Sequence, residues 1–354
     1  MKEFGKNNMK PIRTFASDNY STVHPDIMNF LLAINRHGHE AAYGDDAVTK
    51  QAKDLLRKTF GRHAEILFVS TGTAANILSL KILLERPYDA LITSDVSHVL
   101  EEETGALSAS TGAQVFTVGH AQGKITVSAI KKEVDFRKSL EFHSALPRAV
   151  SIASTTEYGT YYTIDEIKEI AEYCHANNMY LHVDGCRLAN AVAAIGCTLA
   201  EYTQDIDVLS FGGAKNGLMS AEAIMVFSQT SLDLRRIQKQ TLQLVSKMRY
   251  VAGQFIPYLT NGLWLKNAQQ ANDLASYFSN QLKDKLRDQV TFTQETVSNQ
   301  IFCQLPELSV EKLRSKGYTF YDWNSKGEVR FVTSWDNTET DVDDLLTVLT
   351  APEQ

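Results

Sequence analysis

The sequence predicts an α/β fold: a mostly parallel central sheet with a ligand crevice, followed by a smaller C-terminal α+β domain. Three observations lead there. Short apolar runs at 65–70, 89–93, 114–118, 149–153, 179–183, 208–211 and 222–227 alternate with helical patterns, as strands and crossover helices do. Two of these runs stop at Asp184-Gly185 and Gly212-Gly213, the kind of strand end that opens onto a binding crevice. Beyond about residue 256 the order becomes helix, strand, helix, strand, strand, helix, which marks a separate unit. The expected division is an N-terminal arm over 1–30 that contributes to the site, a large cofactor domain over 31–255 and a small domain over 256–354; 354 residues are also long for one core.

Composition narrows the class. With 44% hydrophobic and 22% charged residues the chain is an ordinary soluble protein, and a net charge of −7 argues against nucleic acid or an anionic membrane as main partner. No apolar run approaches a membrane span and the first residues lack the apolar core of a signal peptide, so a cytoplasmic home is expected. Cys174, Cys186, Cys197 and Cys303 form no CxxC pair; they read as reduced thiols, with no metal site.

The elements follow in order. Residues 1–14 are polar, and Pro25-Asp26 opens a helix. His37 and His39 lie in a polar loop over 36–46 and, lacking a third ligand, read as surface residues. An amphipathic helix over 46–60 ends at Gly61. The strand at 65–70 runs into Thr71-Gly-Thr-Ala-Ala-Asn76 and an apolar helix over 77–84. Gly72 and Thr73 there offer backbone N–H groups, a hydroxyl and the positive end of a helix dipole, which together favour a phosphate.

The strand at 89–93 delivers His98, an imidazole suited to lie on an aromatic cofactor ring and to move protons near neutral pH. Glu101, Glu102 and Glu103 behind it suit a helix start, and one facing inward can orient His98. Helices are expected at 127–134 and 164–175. Glu157, past the strand at 149–153, either enters the site or belongs to a polar loop. Strand alternation puts His182 and Asp184 on one side of the sheet, with His182 read as a hydrogen-bonded core histidine. Arg187 is a candidate carboxylate fork.

A helix over 231–250 carries Arg235, Arg236, Lys239, Lys247 and Arg249, mostly on a solvated face, with some of the charge reaching a neighbouring subunit. The last unit has helices at 267–286, 310–315 and 339–349 and strands at 299–305, 318–322 and 328–333. On the last of these strands Arg330 is either a carboxylate clamp over the crevice or a solvent-facing charge.

The pair Asp184 and Lys215 decides the chemistry. An acid at the end of one buried strand and a lysine just past the end of another share a crevice. Pyridoxal phosphate (PLP) needs both: an amine for its aldehyde, and a carboxylate that keeps its pyridine nitrogen protonated.

Taken together, FASDNYS (15–21), AYGDD (42–46), TGTAAN (71–76), SHV (97–99), TEYGT (156–160), HVDGCR (182–187), SFGGAKNG (210–217), SKMRY (246–250) and EVRFVTSWD (328–336) resemble the low-specificity threonine aldolases. These are fold-type-I PLP lyases of the aromatic-amino-acid β-eliminating lyase superfamily, and the likeness runs collinearly over about residues 15 to 350. It implies that Lys215 binds the cofactor aldehyde, Asp184 its ring nitrogen and Gly72 and Thr73 its phosphate, with His98 stacked on the ring. Ser17, Arg187 and Arg330 would hold the substrate carboxylate, Arg187 close to the cofactor as well. Lys247 would reach a phosphate across a subunit boundary, in a homotetramer built as a dimer of dimers.

The implied reaction is retro-aldol cleavage of L-threonine, L-allo-threonine and related β-hydroxy-α-amino acids to glycine and an aldehyde. His98, directly or through a water, would remove the β-hydroxyl proton. Another β-eliminating lyase or an aminotransferase of the same fold is the alternative. Cys186 stands where alanine is usual, and Ala214 where a hydroxyl residue is common.

Overall fold

The structure is a computed structural model that describes residues 14–324 and 327–351. All but the last residue of the expected polar stretch over 1–14 lies outside them. Among the described residues, seven strands form one sheet: β1 (Glu65–Val69), β2 (Asp89–Ser94), β3 (Gln114–Val118), β4 (Leu146–Ala153), β5 (Tyr180–Gly185), β6 (Val208–Phe211) and β7 (Glu222–Val226), in the order β1-β7-β6-β5-β4-β2-β3. From β3 through β6 every pairing is parallel, and β7 runs antiparallel between β6 and β1. Helices cover both faces, which is why β2 and β7 are buried at every position and read as continuous apolar runs.

Register positions the site. Ala153 pairs with Asp184, and Asp184 with Ser210, so the carboxyl ends of β4, β5 and β6 are level. The loops that follow them, carrying Glu157, Cys186-Arg187 and Lys215, leave the sheet side by side.

Four short strands form a second, antiparallel sheet: β8 (Thr291–Phe292), β9 (Gln300–Gln304), β10 (Tyr321–Asp322) and β11 (Glu328–Val332), in the order β10-β11-β9-β8. Helices Leu263–Leu286, Glu307–Ser315 and Glu339–Thr350 accompany it, and Phe278, Leu282, Phe331 and Leu345 fill the core between them. Phe15 is fully buried in that same core; its N–H donates to Thr319 O and its carbonyl accepts from Val332 N–H. The chain after residue 14 is thus fastened to the second sheet before it reaches the crevice. The long Leu263–Leu286 helix begins in the large core at Leu263 and ends in the small one from Leu274 onward.

Three sequence expectations change. The helix expected over 231–250 breaks into Leu234–Gln240 and Arg249–Ala252. Leu242 takes a left-handed φ of 65°, and Gln238 turns inward to donate to Phe68 O, so the chain cannot continue as one surface helix. The strand expected over 318–322 pairs only at Tyr321–Asp322. The helix expected from residue 77 starts at Gly72, because Thr71 caps it by accepting the Ala74 N–H.

Candidate active site

A cavity of about 460 Å³ opens over the level ends of β4, β5 and β6, where the two sheets meet. Asp184, Arg187, Lys215, His98 and Glu157 line it from the large sheet, and Tyr321, Trp323 and Arg330 from the small one. A second space of about 230 Å³ is lined by Thr71, Gly72, Thr73 and Glu222. Asn19, His98, Cys186 and Lys215 line both, which makes them the junction between two compartments.

Asp184 sits at the floor. Its Oδ1 accepts the Cys186 N–H at 3.0 Å and its Oδ2 accepts from Asn76 Nδ2 at 2.7 Å. Burial works against its charge, but His98, the Cys186 donors and Lys215 together hold the carboxyl below its ordinary value. Asn76 also donates to Glu103 Oε1 at 2.9 Å, the oxygen that faces His98 Nδ1 at 3.0 Å. The same oxygen accepts from Asn76, which casts His98 Nδ1 as the donor of this pair. Nε2 lies 3.5 Å from Glu102 Oε2. The Glu103 hydrogen bond raises the His98 pKa, burial opposes it and Asp184 adds to the rise. Glu103 is thus the inward-facing glutamate that the sequence allowed for.

The smaller compartment is built on the absence of side chains. A Cβ on Gly72 would meet Cys186 Sγ at 3.0 Å, and one on Gly212 would meet Cys186 O at 2.5 Å. The amides of Gly72 and Thr73 open a 12-residue helix that points its positive end into this space. Glu222 braces the loop before Lys215, accepting the Gly213 N–H at 2.7 Å and the Ala214 N–H at 3.4 Å. Burial pushes its carboxyl up to about 7.

The cavity wall carries two guanidinium groups in different states. Arg187 is held in a fork by Asp18, Nε to Oδ2 at 2.7 Å and Nη2 to Oδ1 at 2.8 Å, and Asn299 donates to the same Oδ2 at 3.0 Å. Arg330 lies over the rings of Trp323 and Tyr321, 4.7 and 5.2 Å from their centroids, and its buried Nε has no hydrogen-bond partner. Burial first, then Arg187, brings its pKa down to about 10. A cation so placed calls for an anion. Ser17, which also lines the cavity, accepts the Asn19 N–H at 3.2 Å.

Of the sequence-selected residues, Lys215, Asp184, Gly72, Thr73, His98, Ser17, Arg187 and Arg330 all line one or both compartments. Lys247 does not; it is exposed on the surface of this single chain. His182 is a core residue as read, bonded to Ser151 Oγ at 2.9 Å and Ser210 Oγ at 3.1 Å, and burial pushes it down to about 4. His37 and His39 are exposed, and the described residues contain no cluster suited to a metal. All four cysteines are free. No helix among the described residues is long and apolar enough to cross a membrane. Asp18, Asn76, Glu222 and Asn299 were not anticipated; the first two lie within FASDNYS and TGTAAN, but nothing local names their partners.

Comparison with known proteins agrees with this geometry. Residues 14–303 match the family model of the beta-eliminating lyases. A low specificity L-threonine aldolase of Pseudomonas sp. (strain NCIMB 10558) is 40% identical over 94% of this chain and 95% of its own, and one from Pseudomonas aeruginosa is 38% identical over 91% and 92%. The solved structure of Leishmania major threonine aldolase superposes with a TM-score of 0.89 at 28% identity, covering 96% of this chain and 98% of that one. A NifS-like protein, at a TM-score of 0.70 and 17% identity, shares the fold. Family model, relatives and crevice all lead to one conclusion: the chain belongs to the beta-eliminating lyase family, whose members are PLP-dependent.

Proposed function

We propose that this chain is an aldehyde-lyase that cleaves L-threonine, L-allo-threonine and related β-hydroxy-α-amino acids to glycine and an aldehyde. The observation that carries the reading is the pairing, across one cavity, of the Lys215–Asp184 floor with a half-buried Arg330 whose Nε is buried and without a partner. An α-amino acid has an amine and a carboxylate to match these two features. The named relatives supply the reaction class.

The residues present fit PLP. Gly72 leaves free the space that a side chain would take beside Cys186, and Asp184, half-buried at the cavity floor, is held below its ordinary pKa. Gly72 and Thr73 would hold the phosphate, Lys215 the aldehyde carbon and Asp184 the ring nitrogen, with His98 beside the ring. When bound, PLP supplies a sink for the electron pair released as Cα–Cβ breaks. Asp184 would keep the ring nitrogen protonated. Arg330 and Arg187, with Ser17, bind the substrate carboxylate and so fix which bond at Cα is presented for cleavage. Tyr321 and Trp323 of the small sheet flank Arg330 with their rings and line the cavity beside it.

The test is direct. Purified protein with PLP and L-threonine or L-allo-threonine is expected to release acetaldehyde and glycine in equal amounts, and to release neither without the cofactor. Ammonia with a keto acid would instead make it an eliminating lyase, and conversion of the cofactor to its pyridoxamine form an aminotransferase; either would overturn the proposal.

A further inference from the structure

Resting on the aldolase reading, we propose that Glu157, not His98, is the group that takes the β-hydroxyl proton of the substrate. Glu157 stands in the loop after β4 and lines the large cavity together with Asp184, Arg187 and Lys215. Its carboxyl accepts from backbone N–H groups alone, from His98 to Oε1 at 2.8 Å and from its own residue. Those bonds fix where the carboxyl sits, and no Lys or Arg side chain is paired with it among the described residues.

The other acids and bases around the cavity have partners of their own or, like Glu102, lie at its exposed edge, 3.5 Å from His98 Nε2. Asp184 accepts from Asn76 and Cys186, and Asp18 from Arg187 and Asn299. Asp322 is paired with Arg314 on the surface. The His98 ring is bonded through Nδ1 to Glu103, which raises its pKa and favours its protonated form, and Nε2 stands 3.5 Å from Glu102. Titratable groups that face Glu157 are Asp184 and His98 across the cavity floor, and Tyr158 and Tyr162 on its own segment. Burial foremost, with Asp184 adding, pushes the Glu157 carboxyl up to about 7, where a general base is most effective near neutrality.

The step balances without a further reactant. The O–H bond breaks as its proton passes to Glu157, the C–O bond becomes the aldehyde carbonyl, and Cα–Cβ breaks with its pair remaining on the Cα side. A proton added at Cα completes glycine.

Glu157→Gln keeps the shape and the backbone contact but removes the base. Two reactions of the holoenzyme separate the roles, because exchange of the glycine α-hydrogen in D2O uses the same cofactor, lysine and arginines but involves no hydroxyl. The expected result is a fall of about 10²- to 10⁴-fold in kcat for L-threonine. Glycine exchange should stay within about threefold of the wild type on the same reasoning. The visible absorbance of bound PLP, and its change on adding glycine, should also be kept. The wild-type kcat/KM profile should carry an acid limb near pH 7 that the variant lacks. Loss of both reactions together, or of neither, would overturn the assignment. A wild type that exchanges glycine but releases no aldehyde from either threonine would overturn the aldolase reading as well, and is recognised because the unmodified enzyme fails.

Discussion

Asp18 makes the ion pair that fixes Arg187, and the partners are 169 residues apart in sequence. Asp18 lies within FASDNYS, but its partner is invisible to motif reasoning, since only folding brings the N-terminal segment against the β5 loop. Asn76, 108 residues from Asp184, is the same case. Lys215 and Asp184 were legible because each ends its own apolar run, and a parallel sheet levels such ends. Two predictions belong at this scale. Lys215→Ala should lose both turnover and the visible absorbance of bound cofactor, and retained turnover would contradict its role. Asp18→Asn leaves Arg187 buried without its counter-charge, a loss of folding stability on the order of 3 kcal/mol at neutral pH. Although burial opposes it, Arg187 holds the Asp18 carboxyl below its usual value. Its contribution is therefore fully present above the unfolded pKa of about 3.9 and is lost as pH falls through the lower folded value. Urea denaturation should show the gap between wild type and variant narrowing below about pH 4; a constant gap would mean that the ion pair is not its origin.

Among elements, the sequence reading recovered all seven strands of the large sheet because both-face burial writes them as apolar runs. It missed the break in 231–250, where the charge pattern continues while the backbone turns at Leu242. A helical pattern of charges carries no information about an inward glutamine such as Gln238. The glycine loops give the prediction at this scale. Gly212→Ala would drive a Cβ into the Cys186 backbone, at 2.5 Å from its O and 2.6 Å from its Cα, and backbone cannot yield as a side chain can. It should cost about 1–3 kcal/mol, measured by thermal or urea unfolding. Gly72→Ala meets only the Cys186 Sγ, at 3.0 Å. Its effect should fall less on stability than on cofactor affinity, measured by absorbance titration. Equal loss of stability in the two variants would contradict this account of the phosphate compartment.

At the scale of the whole molecule, the crevice lies where two sheets meet, and the N-terminal segment is stitched to both: Phe15 to the small core, Asp18 to Arg187 of the large sheet and Asn299 beside the small one. The chain also leaves apolar side chains exposed, one of them, Met219, at the smaller compartment. Met28 and Leu32, one turn apart on the Pro25–Asn35 helix, are 39% and 56% exposed, and Met219 is 48% exposed. We propose that a second copy covers these side chains, in line with the tetramer that the resemblance implied. Light scattering should give a multiple of the 39.5 kDa chain mass, and Leu32→Glu should lower it together with activity. A monomeric, fully active wild type would contradict the assembly.

The central claim, that one crevice holds PLP on Lys215 opposite Asp184, is tested most directly by reducing the holoenzyme with borohydride and mapping its peptides by mass. The account predicts a single pyridoxyl group on Lys215, absent from Lys215→Ala. A label on another lysine, or none in protein that still releases aldehyde in a PLP-dependent way, would contradict it.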